Sequence, residues 1–162
     1  MKKIILLLLI SLIAKPDYSS AGLSYGTIDG DIDLLSLSYE NVNSKFAVTG
    51  VVANADAGAA DATLTEVMLD YGFGNFNEGS WFVGIEHARA SGGGESFSDT
   101  FLNAGYKKAS GEGLDWGVSI DSEEQDLTAR VTQWLDDGLG IGARVTVFEE
   151  GELFEFSVKY KW

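Results

Sequence analysis

Apolar and polar residues alternate along most of this chain, which is the pattern of β-strands that present one apolar face. The clearest run ends the sequence, where every second side chain is apolar or aromatic: Phe154, Phe156, Val158, Tyr160 and Trp162. Runs of the same period lie at 67–73, 81–85, 114–120 and 139–147. Helical periodicity is hard to find after residue 16, so the pattern predicts an all-β protein.

Clusters rich in Gly, Asn and Asp separate these runs, and each is typical of a hairpin connection. We predict ten strands, at 22–28, 31–41, 44–54, 62–73, 79–90, 98–108, 113–122, 125–134, 138–149 and 152–162. Their order predicts an antiparallel up-and-down meander. Eight strands are the alternative, because 22–41 is the least regular part, and either even number brings both termini to the same side.

The first segment has the order of a secretory signal peptide: two lysines, an apolar run, and small residues before a cleavage site. Lys2 and Lys3 precede the run at 4–10, Pro16 follows it, and Ser19 and Ala21 hold the positions that the peptidase reads. The run is too short to span a bilayer, which takes roughly 20 residues. We therefore predict a signal peptide at 1–21 and a single β-barrel domain at 22–162.

The aromatic residues fall near the two edges of the predicted sheet if the chain starts in the periplasm and successive strands alternate in direction. A large set falls near the periplasmic edge: Tyr39, Phe46, Tyr71, Trp81, Tyr106, Trp116, Trp134, Tyr160 and Trp162. A smaller set falls near the other edge: Phe97, Phe101, Phe148 and Phe154. Two aromatic girdles flanking an aliphatic band are typical of a membrane barrel, and a soluble sandwich has no reason to form them.

Two signals in the strand at 125–134 conflict over which residues face lipid. Leu127, Ala129 and Val131 point to lipid only if Arg130 and Trp134 point inward, whereas a girdle position suits Trp134 better. A β-bulge is the feature that would reconcile the two assignments.

The signal peptide and the final aromatic strand make the chain similar to the small bacterial outer-membrane β-barrels of the OmpA/OmpX type. The resemblance implies an integral protein of the outer membrane of a Gram-negative bacterium. It also implies that the barrel-assembly machinery reads the terminal strand, through Phe154, Phe156, Val158, Tyr160 and Trp162. No periplasmic peptidoglycan-binding domain follows that strand, so a role in anchoring the cell wall is not expected.

Charged residues of both signs occupy the strand faces opposite the apolar ones: Glu66, Asp70, Glu86, Lys107, Asp115, Arg144, Glu155 and Lys159. Barrels of about eight strands are filled by side chains, and a wide aqueous channel takes roughly 16. We therefore predict a lumen filled by an ion-pair network. A narrow channel for ions or small solutes is the alternative.

The 162 residues carry a net charge of −14 and include no Cys and one His. Disulfides and cysteine-bound metals are excluded, and a nucleic-acid partner is not expected from so acidic a chain. His87 and Ser91 suggest an outer-leaflet lipid hydrolase as a second alternative, but they are four positions apart on a strand, a distance of about 13 Å. We expect no enzyme and no cofactor, and a monomer with a structural or surface-interaction role.

Acidic residues cluster in the links on the extracellular side, at Asp29-x-Asp31-x-Asp33 and Glu123-Glu124-x-Asp126. Oxygen ligands of this kind suit hard cations, but neither cluster matches the full twelve-residue calcium loop. We expect a solvated rim rather than a specific metal site. Divalent cations concentrated at this rim would bridge the barrel to the phosphates of lipopolysaccharide.

Overall fold

The computed structural model describes residues 16–56, 61–122, 125–135, 138–149 and 151–162. Within these ranges the chain forms ten strands: β1 (Tyr18–Ile28), β2 (Ile32–Val42), β3 (Phe46–Asp56), β4 (Asp61–Gly72), β5 (Ser80–Gly92), β6 (Glu95–Lys108), β7 (Leu114–Asp121), β8 (Leu127–Trp134), β9 (Leu139–Phe148) and β10 (Gly151–Lys161). Each strand pairs with its neighbours in sequence, and β1 pairs antiparallel with β10 to close the barrel. The prediction of ten strands in an up-and-down barrel is confirmed. The described residues include no helix that is long and apolar enough to cross a membrane.

The start of β1 differs most from the predicted boundaries. The strand begins at Tyr18, ahead of the predicted first mature residue, Gly22. Ser19 and Trp162 exchange backbone hydrogen bonds of 3.1 and 2.9 Å, so these residues belong to the closed sheet. The cleavage position stays a prediction, and residues 1–15 of the predicted signal peptide lie outside the described residues. Cleavage before Gly22 would remove the first residues of β1.

The strands direct apolar side chains outward and polar side chains inward, which is the reverse of the arrangement in a soluble protein. Large apolar side chains are exposed on the outside, among them Leu23, Leu37, Ile85, Leu102, Ile141, Phe156 and Val158. Polar and charged side chains are buried inside, among them Ser24, Ser36, Asp70, Asn103, Lys107 and Glu155. An apolar exterior around a polar interior is typical of outer-membrane barrels, in which the closed sheet satisfies its backbone groups without water. The closed sheet therefore has the architecture of a transmembrane β-barrel.

The wall of the barrel is uneven in height. The end at which β1 begins and β10 ends is called here the terminal end, and the opposite end the distal end. The hairpin of β5 and β6 is paired out to Gly92 and Glu95, whereas β6 pairs with β7 only from Asn103 to Lys108. Strands β7 and β8 are also the shortest, at 8 residues each. The wall is therefore low at β7 and β8, and the β5–β6 hairpin projects beyond it.

Two apolar clusters fill opposite ends of the interior. The cluster at the terminal end consists of Tyr18, Val42, Ala47, Phe76, Phe82, Ala109 and Trp134. The cluster at the distal end consists of Leu34, Ala53, Ala55 and Leu153. Charged and hydroxyl-bearing side chains lie between the two clusters, so the lumen is polar in its middle and apolar near both ends.

Candidate functional site

The terminal end of the lumen contains a buried residue that does not belong to a strand. Phe76 lies in the turn between β4 and β5, and its side chain is fully buried inside the barrel. Its amide donates to Ser44 O at 3.0 Å, and its carbonyl accepts from the amide of Ala109 at 2.8 Å. An added Cβ at Gly72 would lie 2.9 Å from the Phe76 ring, so a glycine there makes room for it. This buried ring is called here the Phe76 plug.

A buried ion pair lies directly against the plug. Lys107 Nζ is 2.6 Å from Asp70 Oδ2, and the two side chains are only 1% and 3% exposed. The same ammonium lies 4.5 Å from the centre of the Phe76 ring and 5.1 Å from that of Phe82. Charge pairing and cation–π contact thus hold Lys107 between a carboxylate and two aromatic faces.

Trp134 lies inside the barrel, so its assignment to the aromatic girdle was wrong. Its side chain is 5% exposed, its Nε1 donates to Asp115 Oδ2 at 2.6 Å, and its ring meets Tyr18 edge-on at 5.9 Å. Strand β8 pairs with β9 from Leu127 to Trp134 in regular register, without a bulge. Because the outward apolar residues of β8 alternate regularly with inward ones, Trp134 points into the barrel. Its indole N–H donates to Asp115 there.

Asp115 has a different role from the one predicted. Its carboxylate accepts hydrogen bonds from the amides of Ser110 and Gly111, at 2.8 and 2.9 Å, as well as from Trp134. No salt bridge of Asp115 occurs among the described residues. The prediction that it belongs to the ion-pair network was wrong, because backbone amides of the β6–β7 turn satisfy its oxygens instead.

A second group of charges surrounds Arg144 in the middle of the lumen. Its Nε lies 2.8 Å from Glu155 Oε2 and its Nη1 lies 3.9 Å from Glu66 Oε2. Lys159 Nζ lies 3.9 Å from Glu40 Oε2, a carboxylate that the sequence interpretation missed. The signal for Glu40 was present, because the apolar alternation of β2 through Tyr39 places the next residue inside.

Glu86 is the remaining member of the predicted network, and it makes no salt bridge within the described part of the chain. It lines, together with Asn103, the largest of three cavities in the lumen, of about 240 Å³. Smaller cavities of about 70 and 20 Å³ follow toward the terminal end, and Arg130 lines all three. The free volume of the lumen therefore narrows toward the Phe76 plug.

The other predicted girdle residues lie on the outside of the barrel near its terminal end: Tyr39, Phe46, Tyr71, Trp81, Tyr106, Trp116, Tyr160 and Trp162. Their rings contact one another across strands, as in the series Trp81–Tyr106–Trp116, with centroids 5.5 and 5.4 Å apart. The smaller predicted girdle is partly wrong. Phe101 and Phe148 line the largest cavity, because they occupy inward positions of β6 and β9.

His87 and Ser91 do not form a catalytic pair in the structure. His87 Nδ1 lies 2.8 Å from Thr100 Oγ1, and Ser91 Oγ lies 3.5 Å from Thr63 O. Both residues belong to β5, and the imidazole is on the outer face of the barrel. The hydroxyl nearest to the imidazole is thus that of a threonine on the neighbouring strand.

Two acidic residues of the distal rim make local hydrogen bonds. Asp29 Oδ1 accepts from the amide of Glu152 at 2.8 Å, and Asp33 Oδ1 accepts from Tyr25 Oη at 2.6 Å. Glu123 and Glu124 of the second cluster lie outside the described residues. Among the described residues, no group of three or more acidic or histidine side chains is arranged to hold a metal ion.

The positions of the four tryptophans predict a difference in fluorescence quenching. Three single-tryptophan variants, which retain Trp81, Trp116 or Trp162, are expected to be quenched by brominated acyl chains because these side chains are exposed. The variant that retains Trp134 is expected to show little quenching. Equal quenching of all four variants in brominated phosphatidylcholine vesicles would place Trp134 on the lipid face after all.

Comparison with known proteins supports the fold. No protein-family model and no curated protein sequence matches the chain. A designed transmembrane β-barrel is similar in structure over 92% of this chain and 98% of its own, with 7% identity and a TM-score of 0.50. The N-terminal barrel domain of Pseudomonas aeruginosa OprF matches over 91% of this chain and 98% of its own, with 12% identity and a TM-score of 0.45. The KdgM porin in complex with disordered oligogalacturonate matches over 87% of this chain and 98% of its own, with 10% identity and a TM-score of 0.47. The chain has the fold of a ten-stranded transmembrane β-barrel.

Proposed function

We propose that this chain is a closed, non-conducting outer-membrane barrel with a structural and surface-interaction role. The observation that carries the proposal is the plug at the terminal end, where the buried Phe76 ring packs against the Lys107–Asp70 ion pair. With the terminal end in the periplasm, as the sequence predicts, the projecting β5–β6 hairpin faces the outside of the cell.

An ion that enters from the distal end would have to displace the plug before it reached the periplasm. The turn that carries Phe76 is tied to two other turns by its own backbone, through Ser44 and Ala109. Displacing the ring would break these hydrogen bonds and expose the buried charge of Lys107. The plug is therefore part of the folded core and not a loose flap.

A narrow channel is the second candidate function, and the row of three lumen cavities favours it. Such a path would open only if the Phe76 turn withdrew. A lipid hydrolase has less support, since His87 lies against Thr100 while Ser91 contacts Thr63. We propose that the barrel is not an enzyme.

Single-channel recording separates the closed barrel from the channel. We expect the wild-type protein to give no discrete conductance steps in planar bilayers. Phe76→Ala is expected to give small steps, because it removes the ring that fills the terminal end. Phe73→Ala is the matched control, since this second phenylalanine of the same turn is 63% exposed and contacts Tyr71 on the outside.

Regular steps from the wild-type protein would contradict the proposal and favour the channel. Folding of each variant is checked by its mobility in gels with and without boiling, because a folded barrel migrates differently from the denatured chain.

A further inference from the structure

The apolar belt on the outside of the barrel has unequal heights on opposite sides. On β9 five successive outward positions are apolar: Leu139, Ile141, Ala143, Val145 and Val147. On β5 only the first three are apolar, Trp81, Val83 and Ile85, and the next two hold His87 and Arg89. At the same number of residues from the terminal-end turns, β5 thus carries polar side chains where β9 carries aliphatic ones.

The depth of Arg89 follows from strand geometry. Eight residues separate it from Trp81, which at about 3.3 Å per residue and a tilt of about 40° gives a rise of roughly 20 Å. The apolar band of such barrels is about 25 Å tall, so Arg89 lies within its height. On β9, Val147 is the same number of residues above Leu139. If the hydrocarbon layer had its full height beside β5, it would therefore surround the guanidinium of Arg89.

The neighbours of Arg89 supply hydroxyl groups but no acid. In the strand register it lies between Thr65 of β4 and Ser98 of β6, and His87 lies opposite Thr100. We call these five residues, Thr65, His87, Arg89, Ser98 and Thr100, the outer-face patch. Their side chains are exposed or half-buried on the outside of the wall. Arg89 forms no salt bridge among the described residues, so the patch carries a positive charge without a protein counter-ion.

An isolated charge on the lipid face is unfavourable, and the cost grows with depth. A phosphate removes that cost, because guanidinium binds phosphate oxygens in a bidentate manner and hydroxyl groups donate further hydrogen bonds. We infer that the outer-face patch binds the phosphate of an outer-leaflet lipid headgroup, with Arg89 as its charged anchor and the hydroxyls of Thr65 and Ser98 as donors. The headgroup is drawn toward the membrane interior at this point, so the bilayer is thinner beside β5 than beside β9.

Lipid retention by protein from cells measures this binding directly. Wild-type and variant barrels are extracted from outer membranes in mild detergent with a chelator, and bound lipopolysaccharide is counted by native mass spectrometry. The chelator removes divalent cations, which separates direct contact by Arg89 from bridging by the acidic rim. We expect Arg89→Gln to lower retention roughly tenfold, the loss typical of one charge-assisted hydrogen bond. Arg89→Lys is expected to restore part of it.

Lys108→Gln is the matched control, because it removes one positive charge from the outside of β6 at the terminal end. Equal retention by wild type and Arg89→Gln would overturn the inference, and so would an equal loss in the Lys108→Gln control. Wild-type protein that carries no lipopolysaccharide would overturn it as well. A second arm adds inorganic phosphate alone to protein in detergent, and saturable binding there without lipid would reassign the patch to free phosphate. Gel mobility with and without boiling confirms that each variant is folded.

Discussion

Lys107→Met is expected to lower the free energy of unfolding by about 3–5 kcal/mol, the cost typical of removing one partner of a buried ion pair. Methionine keeps the apolar part of the side chain but leaves the Asp70 carboxylate charged and unpaired. That carboxylate is 3% exposed, so water does not replace the lost ammonium. The contacts of the ammonium with the Phe76 and Phe82 rings are lost as well.

Urea unfolding of the barrel in phospholipid vesicles, followed by gel mobility, measures this change. The double variant Asp70→Asn/Lys107→Met removes both charges and is expected to recover most of the lost stability. Lys45→Met is the control, because Lys45 is exposed in the β2–β3 turn. If Lys107→Met unfolded at the wild-type urea concentration, the ion pair would not contribute to closing the terminal end.

Trp134→Ala is expected to cost a similar amount, about 3–5 kcal/mol, since it leaves a cavity in the cluster at the terminal end. The substitution removes the edge-on contact with Tyr18 and the hydrogen bond to Asp115. The surrounding strands are joined in a closed barrel and have little freedom to collapse into the space.

Trp116→Ala is the comparison that isolates the effect of position. Trp116 is also a large aromatic residue, and its ring lies 5.4 Å from that of Tyr106, but it is 41% exposed on the outside. Lipid chains fill the space that it leaves, so we expect a clearly smaller loss of stability than for Trp134→Ala. The same unfolding assay compares the two, and equal losses would contradict the inward position of Trp134.

Alternation predicted the strands well because the two environments of a barrel wall differ so strongly. Lipid on one side and a polar lumen on the other make every second position informative. The same rule places all eight residues of the predicted network inside the barrel, Asp115 among them, and it also places Glu40 there. Alternation gives the face of a residue but not its partner, so the sequence did not show that backbone amides, rather than a lysine, satisfy Asp115.

Phe76 was beyond this kind of prediction, because a residue in a turn has no inward or outward phase. The error at Trp134 arose where two signals conflicted, its preference for a membrane interface and the phase of Leu127, Ala129 and Val131. The phase prevailed because reversing it would have pointed three apolar residues into a polar lumen. At the start of β1, Ser19 and Ala21 fit both a cleavage site and a strand, so composition alone did not separate the two.

The short pairing between β6 and β7 limits how deeply the barrel sits on that side. Beyond Leu102, whose carbonyl accepts from the amide of Ser122, β6 pairs among the described strands with β5 alone. Backbone groups on its other side then need water, which a hydrocarbon layer does not supply. The hydrocarbon layer must therefore be thinner than its full height next to β6, on the same side of the barrel as the outer-face patch. Replacing Arg89 would therefore change which lipid is held at this side of the barrel but would leave part of this thinning in place.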